Sequence, residues 1–348
     1  MTAPPRTNRP DFRAAGTVFA RTRDELAATL AADDAPRAVV MTMGALHEGH
    51  FDLVREAARR VGPGGTVVVT IFVNPLQFAP GEDLDAYPRT LQADLDGLTA
   101  VLTRADGALA VGRLVVFAPT PEVMYPRGEP QVRIDPGPLA TVLEGRTRPT
   151  HFAGVCQVVL SLLHLTAPRW AMFGRKDAQQ LAIVKAMVRD LAVPVEIVPV
   201  DIRREADGLA MSSRNVYLSD VERGRALALS RALEAGRTAA RAGGDAAAVR
   251  AAALQVLDAE AGVEVDYVAV VDPDSFVDLA GAGLGLEPQR QSEAEQAVRE
   301  AGVRDAGVRD AGVREAGAPG PPCARALLAL AARVGATRLI DNALVDLG

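Results

Sequence analysis

Apolar positions follow two alternating patterns along the first two hundred residues. Residues 38–43 form a short apolar run that ends at Gly44, and residues 67–73 (VVVTIFV) are apolar and β-branched almost throughout. The second is the pattern of a strand buried on both faces. Between them Leu53, Val54, Ala57, Ala58 and Val61 recur at helical spacing. Residues 114–118, 170–173 and 195–200 predict three more strands. Residues 152–165 predict an apolar helix, and residues 177–190 an amphipathic one carried by Leu181, Val184 and Val188. Such alternation predicts an α/β fold with a doubly wound parallel sheet, whose ligands bind outside the carboxyl ends of its strands. His47, Asn74, Gln77 and Lys176 all lie just past such ends.

After residue 202 the texture changes, so the predicted domains are residues 1–202 and 203–348. The second reads as a smaller α+β unit, Ala/Arg-rich and helical over residues 222–261, with strand-like stretches at 263–271 and 336–340. Between these stretches runs a five-residue repeat, AGVRD and its variants, flanked by polar and Pro/Gly-rich sequence. A period of five matches neither helix nor strand, and glycine in the second position penalises helix. Residues 285–322 therefore read as a low-complexity insertion in a surface loop.

Composition narrows the functional classes. A net charge of −6 and 4% aromatic residues argue against a nucleic-acid or anionic-membrane surface. No apolar run reaches the roughly 18 residues a membrane span needs. The Pro/Arg-rich residues 1–13 have no apolar core of a signal peptide and read as a loose tail, so a cytoplasmic location is expected. Two cysteines are too few for a disulfide framework, and Cys156, in an apolar run, reads as packing.

The rare residues carry the chemistry. Only two lysines occur among 38 basic residues, and one stands in Phe173-Gly174-Arg175-Lys176-Asp177-Ala178-Gln179-Gln180-Leu181. A lysine kept at a strand-to-helix turn in an arginine-rich chain points to chemistry that needs a compact ammonium. Two of four histidines fall in Met43-Gly44-Ala45-Leu46-His47-Glu48-Gly49-His50. The glycines let backbone approach a phosphate, and the helix that follows offers its amides to an anion. The spacing is not that of a helical zinc site, and two ordinary capping histidines would be the plainer reading of this motif alone. Asp207-Gly208-Leu209-Ala210-Met211-Ser212-Ser213-Arg214-Asn215 gathers two hydroxyls and a guanidinium that can close over phosphate. Asn74 and Gln77 in FVNPLQF offer amides suited to hydroxyls and a carboxylate. The string around Arg148 and His151 reads equally as a charged loop or a helix entry, and His164 as a core histidine.

Taken in chain order, MGALHEGH, FVNPLQF, RPTHFAGV, FGRKDAQQL and DGLAMSSRN resemble the pantothenate synthetase family, as do residues 83–90 and 337–342. The first string is that family's form of the HIGH signature of nucleotidyltransferases. The resemblance implies a Rossmann-like ATP-binding domain with a C-terminal lid, and a homodimer. It implies condensation of pantoate with β-alanine through an enzyme-bound pantoyl adenylate, with ATP cleaved to AMP and diphosphate in the presence of Mg2+. It places Met43, Gly44, Ala45, Leu46, His47, Glu48, Gly49 and His50 on ATP, with His50 as proton donor. Gly174, Arg175, Lys176, Asp177, Arg203, Met211, Ser212, Ser213 and Arg214 complete the nucleotide site. His47, Lys176, Ser212, Ser213 and Arg214 join His50 in the catalytic set, Asn74, Gln77 and Gln180 face the acid substrates, and Asp94 stands near the metal. Departures from the family pattern are Met41, Arg175, Ala178 and Arg203. The rival readings are another HIGH-type nucleotidyltransferase and a nucleotide-binding paralogue without turnover.

Overall fold

The computed structural model describes residues 16–31, 33–79, 84, 87–281 and 325–348. The N-terminal tail, residues 83, 85 and 86 of the 83–90 string, Cys323 and the whole repeat-bearing insertion lie outside the described residues.

The first domain runs β1 (Thr17–Ala20), α1 (Arg23–Ala31), β2 (Arg37–Thr42), α2 (Glu48–Val61), β3 (Thr66–Ile71), α3 (Leu91–Leu102) and β4 (Arg113–Phe117). Two single turns follow, α4 (Pro121–Met124) and α5 (Glu144–Thr147), then α6 (His151–Thr166), β5 (Trp170–Gly174), α7 (Ala178–Asp190) and β6 (Glu196–Val200). The six strands are all parallel in the order β1-β4-β3-β2-β5-β6. One sheet face is covered by α1, α6 and α7 through residues such as Leu26, Val159 and Val184. The other is covered by α2 and α3 through Leu53, Val54, Leu95 and Leu98. That is the doubly wound α/β sheet the pattern predicts. The winding reverses at β2, which pairs with β3 on one side and β5 on the other, so the crevice beyond β2 and β5 is where a ligand belongs.

The second unit contains α8 (Asp220–Arg241), α9 (Ala246–Asp258) and the antiparallel sheet β7 (Val263–Val271), β8 (Arg325–Val334) and β9 (Thr337–Asp346). Several expectations are corrected here. The helical stretch 222–261 is two helices, divided at Gly243, whose φ of 83° no ordinary side chain adopts readily. The strand foreseen at 336–340 is the start of β9, which runs on to Asp346 and turns tightly from β8 at Gly335, φ 57°. The strand β8 itself is an addition to the expected elements. Its sequence, RALLALAARV, is rich in helix formers yet lies as the central strand, buried along most of its length. Burial between two partners overrides its local preference. His164 is exposed on α6, with Nδ1 2.8 Å from the Leu160 carbonyl, and not in the core. Cys156 is fully buried, and burial pushes its thiol up to about 11. No helix among the described residues is long and apolar enough to cross a membrane.

The two units share an apolar seam in which Leu143 and Ala182 meet Ala269, Val271, Phe276, Leu327 and Ala329. Beside it Arg338 of β9 grips Glu144 with two hydrogen bonds of 2.7 Å and also Asp266 at 2.6 Å, while the Tyr267 hydroxyl donates to Glu144 at 2.9 Å. Glu144 and Arg338 side chains are only 13% and 17% exposed, so this bidentate pair is shielded from solvent screening.

One glycine sets a close approach that matters for the site. A Cβ on Gly154 of α6 would stand 2.2 Å from the carbonyl oxygen of Leu76, in the turn Pro75–Gln77 that follows β3. Gly154→Ala is therefore expected to cost about 2 kcal/mol of stability, as overpacking against unyielding backbone does. Denaturant unfolding of the variant checks this, and a midpoint equal to wild type would mean that helix and turn separate freely.

Candidate active site

The loop after β2 is built around an unusual backbone. Gly44 has φ 87° and Ala45 φ 51°, both in the left-handed region. What holds Ala45 there is Asp94 of α3, 2% exposed, whose oxygens accept from Ala45 N at 3.1 Å, Leu46 N at 2.8 Å and the Thr90 hydroxyl at 3.1 Å. The fit on Gly44 is close, since a Cβ there would meet an Asp94 oxygen at 3.1 Å. Asp94, which the resemblance places near the metal, uses its carboxylate here to hold the loop. Its carboxylate is occupied with the loop's own donors, and an ion would have to compete for the same lone pairs. Among the described residues no group of three or more His, Cys, Asp or Glu side chains could hold a metal.

The loop delivers the two histidines to the start of α2 as a reciprocal cap. His47 Nδ1 accepts from Gly49 N at 3.2 Å, and His50 Nδ1 accepts from His47 N at 3.3 Å. The rings stand 4.0 Å apart. A ring nitrogen that accepts a backbone N–H carries no proton, so each imidazole is the neutral tautomer with a donor at Nε2. The electrostatics agree. Burial first, then the neighbouring His47 ring, lowers the His50 pKa to about 3. Burial and then the Lys176 ammonium hold His47 below its ordinary value. The plain capping reading of these two histidines is realised at the start of α2.

Beyond β5, residues Arg175–Asp177 form a single turn before α7. The Lys176 ammonium lies 3.5 Å from an Asp177 oxygen and is 22% exposed. Burial opposes ionisation of Asp177, but Lys176, His151 and Arg214 together keep its pKa below the usual value. Arg175, the charge-reversed departure, pairs with Asp201 at 3.0 Å, which gives its guanidinium a partner other than the nucleotide turn. Arg203 is exposed and reaches Asp52 at 3.4 Å, while its carbonyl accepts from Met211 N at 2.9 Å. Glu48 pairs with Arg55 on α2 at 2.9 Å.

The loop of residues 203–217 comes over the start of α2. The Met211 sulfur accepts from Gly49 N at 3.3 Å, so the thioether sits on the helix terminus where an anion would bind. Ser212 caps the turn Ser213–Tyr217 by accepting from Arg214 N at 3.3 Å. Lys176, Asp177, Gln180, Ser212 and Arg214 line a cavity of about 700 Å³ between the two units, closed on the far side by Arg338, Asp341 and Asn342. His47, His50 and Gln77 are not part of its wall. Lys176 and Asp177 of this wall act electrostatically on His47 and His50, and Arg148 and His151 of the same wall meet the Gln77 carbonyl.

The amides divide into those free to meet a ligand and those spent on structure. Asn74 is 1% exposed, with Nδ2 donating to Gln77 Oε1 at 3.0 Å and to the Gly154 carbonyl at 3.1 Å, and Oδ1 accepting from Tyr125 at 2.9 Å. Asn74 is an internal hub that fixes the Gln77 amide, leaving that amide's NH2 as its donor. Gln179 likewise staples Leu139 O, Val142 O and Glu144 N, whereas its neighbour Gln180 faces the cavity. The helix entry at residues 148–151 proves to be both of its readings. His151 begins α6, and its Nδ1 stands 3.2 Å from the Gln77 carbonyl, with Arg148 Nη2 at 3.3 Å from the same oxygen. Sequence reasoning assigned no role to Glu144, nor to Asp341 and Asn342, although the last two fall within the 337–342 string that resembles the family.

The chain matches the family model described as pantoate-beta-alanine ligase over residues 18–344. A pantothenate synthetase of Streptomyces avermitilis is 47% identical, over 94% of this chain and 97% of the relative. The crystal structure of pantothenate synthetase from Thermus thermophilus is 39% identical, with a TM-score of 0.73 over 94% of this chain and 98% of that one. That of a pantoate-beta-alanine ligase from Francisella tularensis, complexed with beta-gamma ATP and beta-alanine, is 26% identical with a TM-score of 0.65, over 94% and 97%.

A stability measurement tests the histidine assignment. With the folded His50 pKa near 3, the unfolded chain binds this proton from about pH 6.5 downward while the folded chain does not. Stability should therefore fall as pH drops from 6.5 towards 4, by at most about 1.4 kcal/mol per pH unit for this one group. His50→Asn keeps an acceptor for the cap but cannot titrate, so its unfolding free energy should vary less steeply over that range. An unchanged slope would show that His50 protonates freely in the folded protein.

Proposed function

The chain belongs to the pantoate–β-alanine ligase family, and on that premise we propose how its crevice joins pantoate to β-alanine with cleavage of ATP to AMP and diphosphate. The observation that carries the reading is the meeting of the neutral His47–His50 pair, the Lys176 turn and the serine–arginine loop at the winding reversal of the sheet. The triphosphate lies along the start of α2. There the Nε2 donors of His47 and His50 face its oxygens, and Met211 yields Gly49 N to it. Lys176 and Arg214 supply the positive charge, and Ser212 and Ser213 the hydroxyl donors. Mg2+ comes with ATP as its counterion, held chiefly by the phosphates, as Mg2+ commonly is.

Pantoate is held by the amides of Gln77 and Gln180. A pantoate carboxylate oxygen bonds to the α-phosphorus as the bond to the β-phosphate bridging oxygen breaks, and diphosphate leaves with that electron pair. Charge grows on the phosphate oxygens, where Lys176 and the imidazole N–H groups stabilise it. The neutral amine of β-alanine then attacks the acyl carbon of the adenylate, AMP departs with its oxygen, and the amine proton passes to solvent or phosphate. No protein nucleophile is required, so the protein's contribution is positioning and electrostatics. By the same resemblance we propose that the enzyme works as a cytoplasmic homodimer.

The reading is tested by following AMP release. Sustained release from ATP that needs both pantoate and β-alanine is the expected result. ATP binding without turnover would favour the non-catalytic paralogue, and adenylation of a phosphorylated acceptor the other nucleotidyltransferase reading. Within that assay, Lys176→Arg and Lys176→Ala should each lower adenylation roughly 100-fold or more. The planar guanidinium is wider than the compact ammonium and cannot take its place on the phosphate without displacing neighbouring groups. Added pantoyl adenylate with β-alanine should restore product formation to both variants. Near wild-type adenylation by the arginine variant would reduce Lys176 to a generic charge.

A further inference from the structure

The turn that carries Lys176 is not held by its own domain alone. Its residues have no side-chain cap, and the side chain that meets their carbonyls comes from β9, about 166 positions later in the chain. Asn342 is 6% exposed and donates through Nδ2 to Arg175 O at 3.0 Å and to Lys176 O at 2.8 Å. One amide nitrogen thus uses both its hydrogens on two successive carbonyls, which fixes the peptide planes on either side of the lysine.

Asn342 is itself fixed. Its backbone N donates to Asp341 Oδ1 at 2.8 Å, and Asp341, 2% exposed, is gripped by Arg204 at 2.7 and 3.0 Å. Arg204 lies at the base of the loop that carries Met211, Ser212, Ser213 and Arg214, and its Nη1 also donates to Gly208 O at 3.1 Å. Asp341 and Asn342 therefore tie two phosphate-facing segments, the lysine turn and the serine–arginine loop, to one point on β9.

We propose that Asn342 is a positioning residue for the adenylation step, holding the Lys176 turn so that its ammonium reaches the phosphate undergoing attack. The inference rests on the reading of function above and assigns the C-terminal unit a part in the first half-reaction, beyond covering the crevice. A side chain that only filled space would need no donors. These donors go to carbonyls that would otherwise compete, as negative dipole ends, for the lysine they flank.

The experiment separates the two half-reactions in wild type, Asn342→Ala and Asn342→Ser. Diphosphate formation from ATP and pantoate reports adenylation, and product formation from synthetic pantoyl adenylate with β-alanine reports the second step. In the alanine variant the adenylation kcat should fall on the order of 10- to 100-fold, since misplacement of a charged group by about an ångström has effects of that size. The ATP KM and the second half-reaction should stay within about twofold of wild type. The serine variant keeps one donor and should fall between the two, and it carries the same test if the alanine variant does not fold. Adenylation at the wild-type rate, or equal loss in both half-reactions, overturns the proposal. Absence of adenylation by the wild type would instead overturn the reading of function on which it rests.

Discussion

A buried carboxylate accepting backbone hydrogens fixes everything on the nucleotide side of this crevice. Asp94 draws Ala45 N and Leu46 N onto its oxygens, and that pull keeps a non-glycine residue at positive φ directly after β2. The loop then has one exit, which sets His47 as the cap of α2 and turns both imidazoles so that Nδ1 accepts and Nε2 donates. If Asp94 were removed, two donors at a buried loop would lose their partners, and the histidines would lose the path that brings them to the helix terminus. The residue that sets this geometry acts through the backbone of the loop it holds.

The same division between touching and holding recurs through the site. Asn74 holds Gln77, Gln179 holds the segment before α5, and Asn342 holds the Lys176 turn. In each case a buried amide satisfies groups of the protein, so that a neighbouring side chain is left free to meet a ligand. An active site that works by positioning, with no covalent nucleophile, needs such supports because small displacements of charge cost rate directly. One of them, Asn342, crosses the seam between the units. The Lys176 turn is thus tied to β9 of the second unit.

The departures from the family pattern look milder in three dimensions than along the chain. Arg175 turns its charge onto Asp201, and Arg203 reaches Asp52. Met41 sits in regular parallel register with Thr70, so the entry to the loop is an unbroken strand. The two ion pairs are solvent-facing and of little energetic weight, but they give each new cation an acceptor other than the nucleotide.

The sequence by itself determined the doubly wound sheet, because its strands and helices differ in apolar period and the contacts that create the period are local to each element. It also marked His47, His50, Gln77, Lys176 and the serine–arginine loop, since each lies in a motif beside a predicted strand end. It marked Asp94 and Asn74 for a ligand, without showing that both also hold groups of the protein. Only burial reveals that second use: both side chains are sealed against protein donors and acceptors. It did not announce β8, whose alanines and leucines favour a helix until two flanking strands bury them. It placed Arg338 and Asn342 in a family-like string but gave them no role, because a hydrogen bond across more than 160 residues leaves no spacing to read. Tertiary structure decided which polar residues hold the site and which face its substrates, since that depends on what the chain brings against each of them.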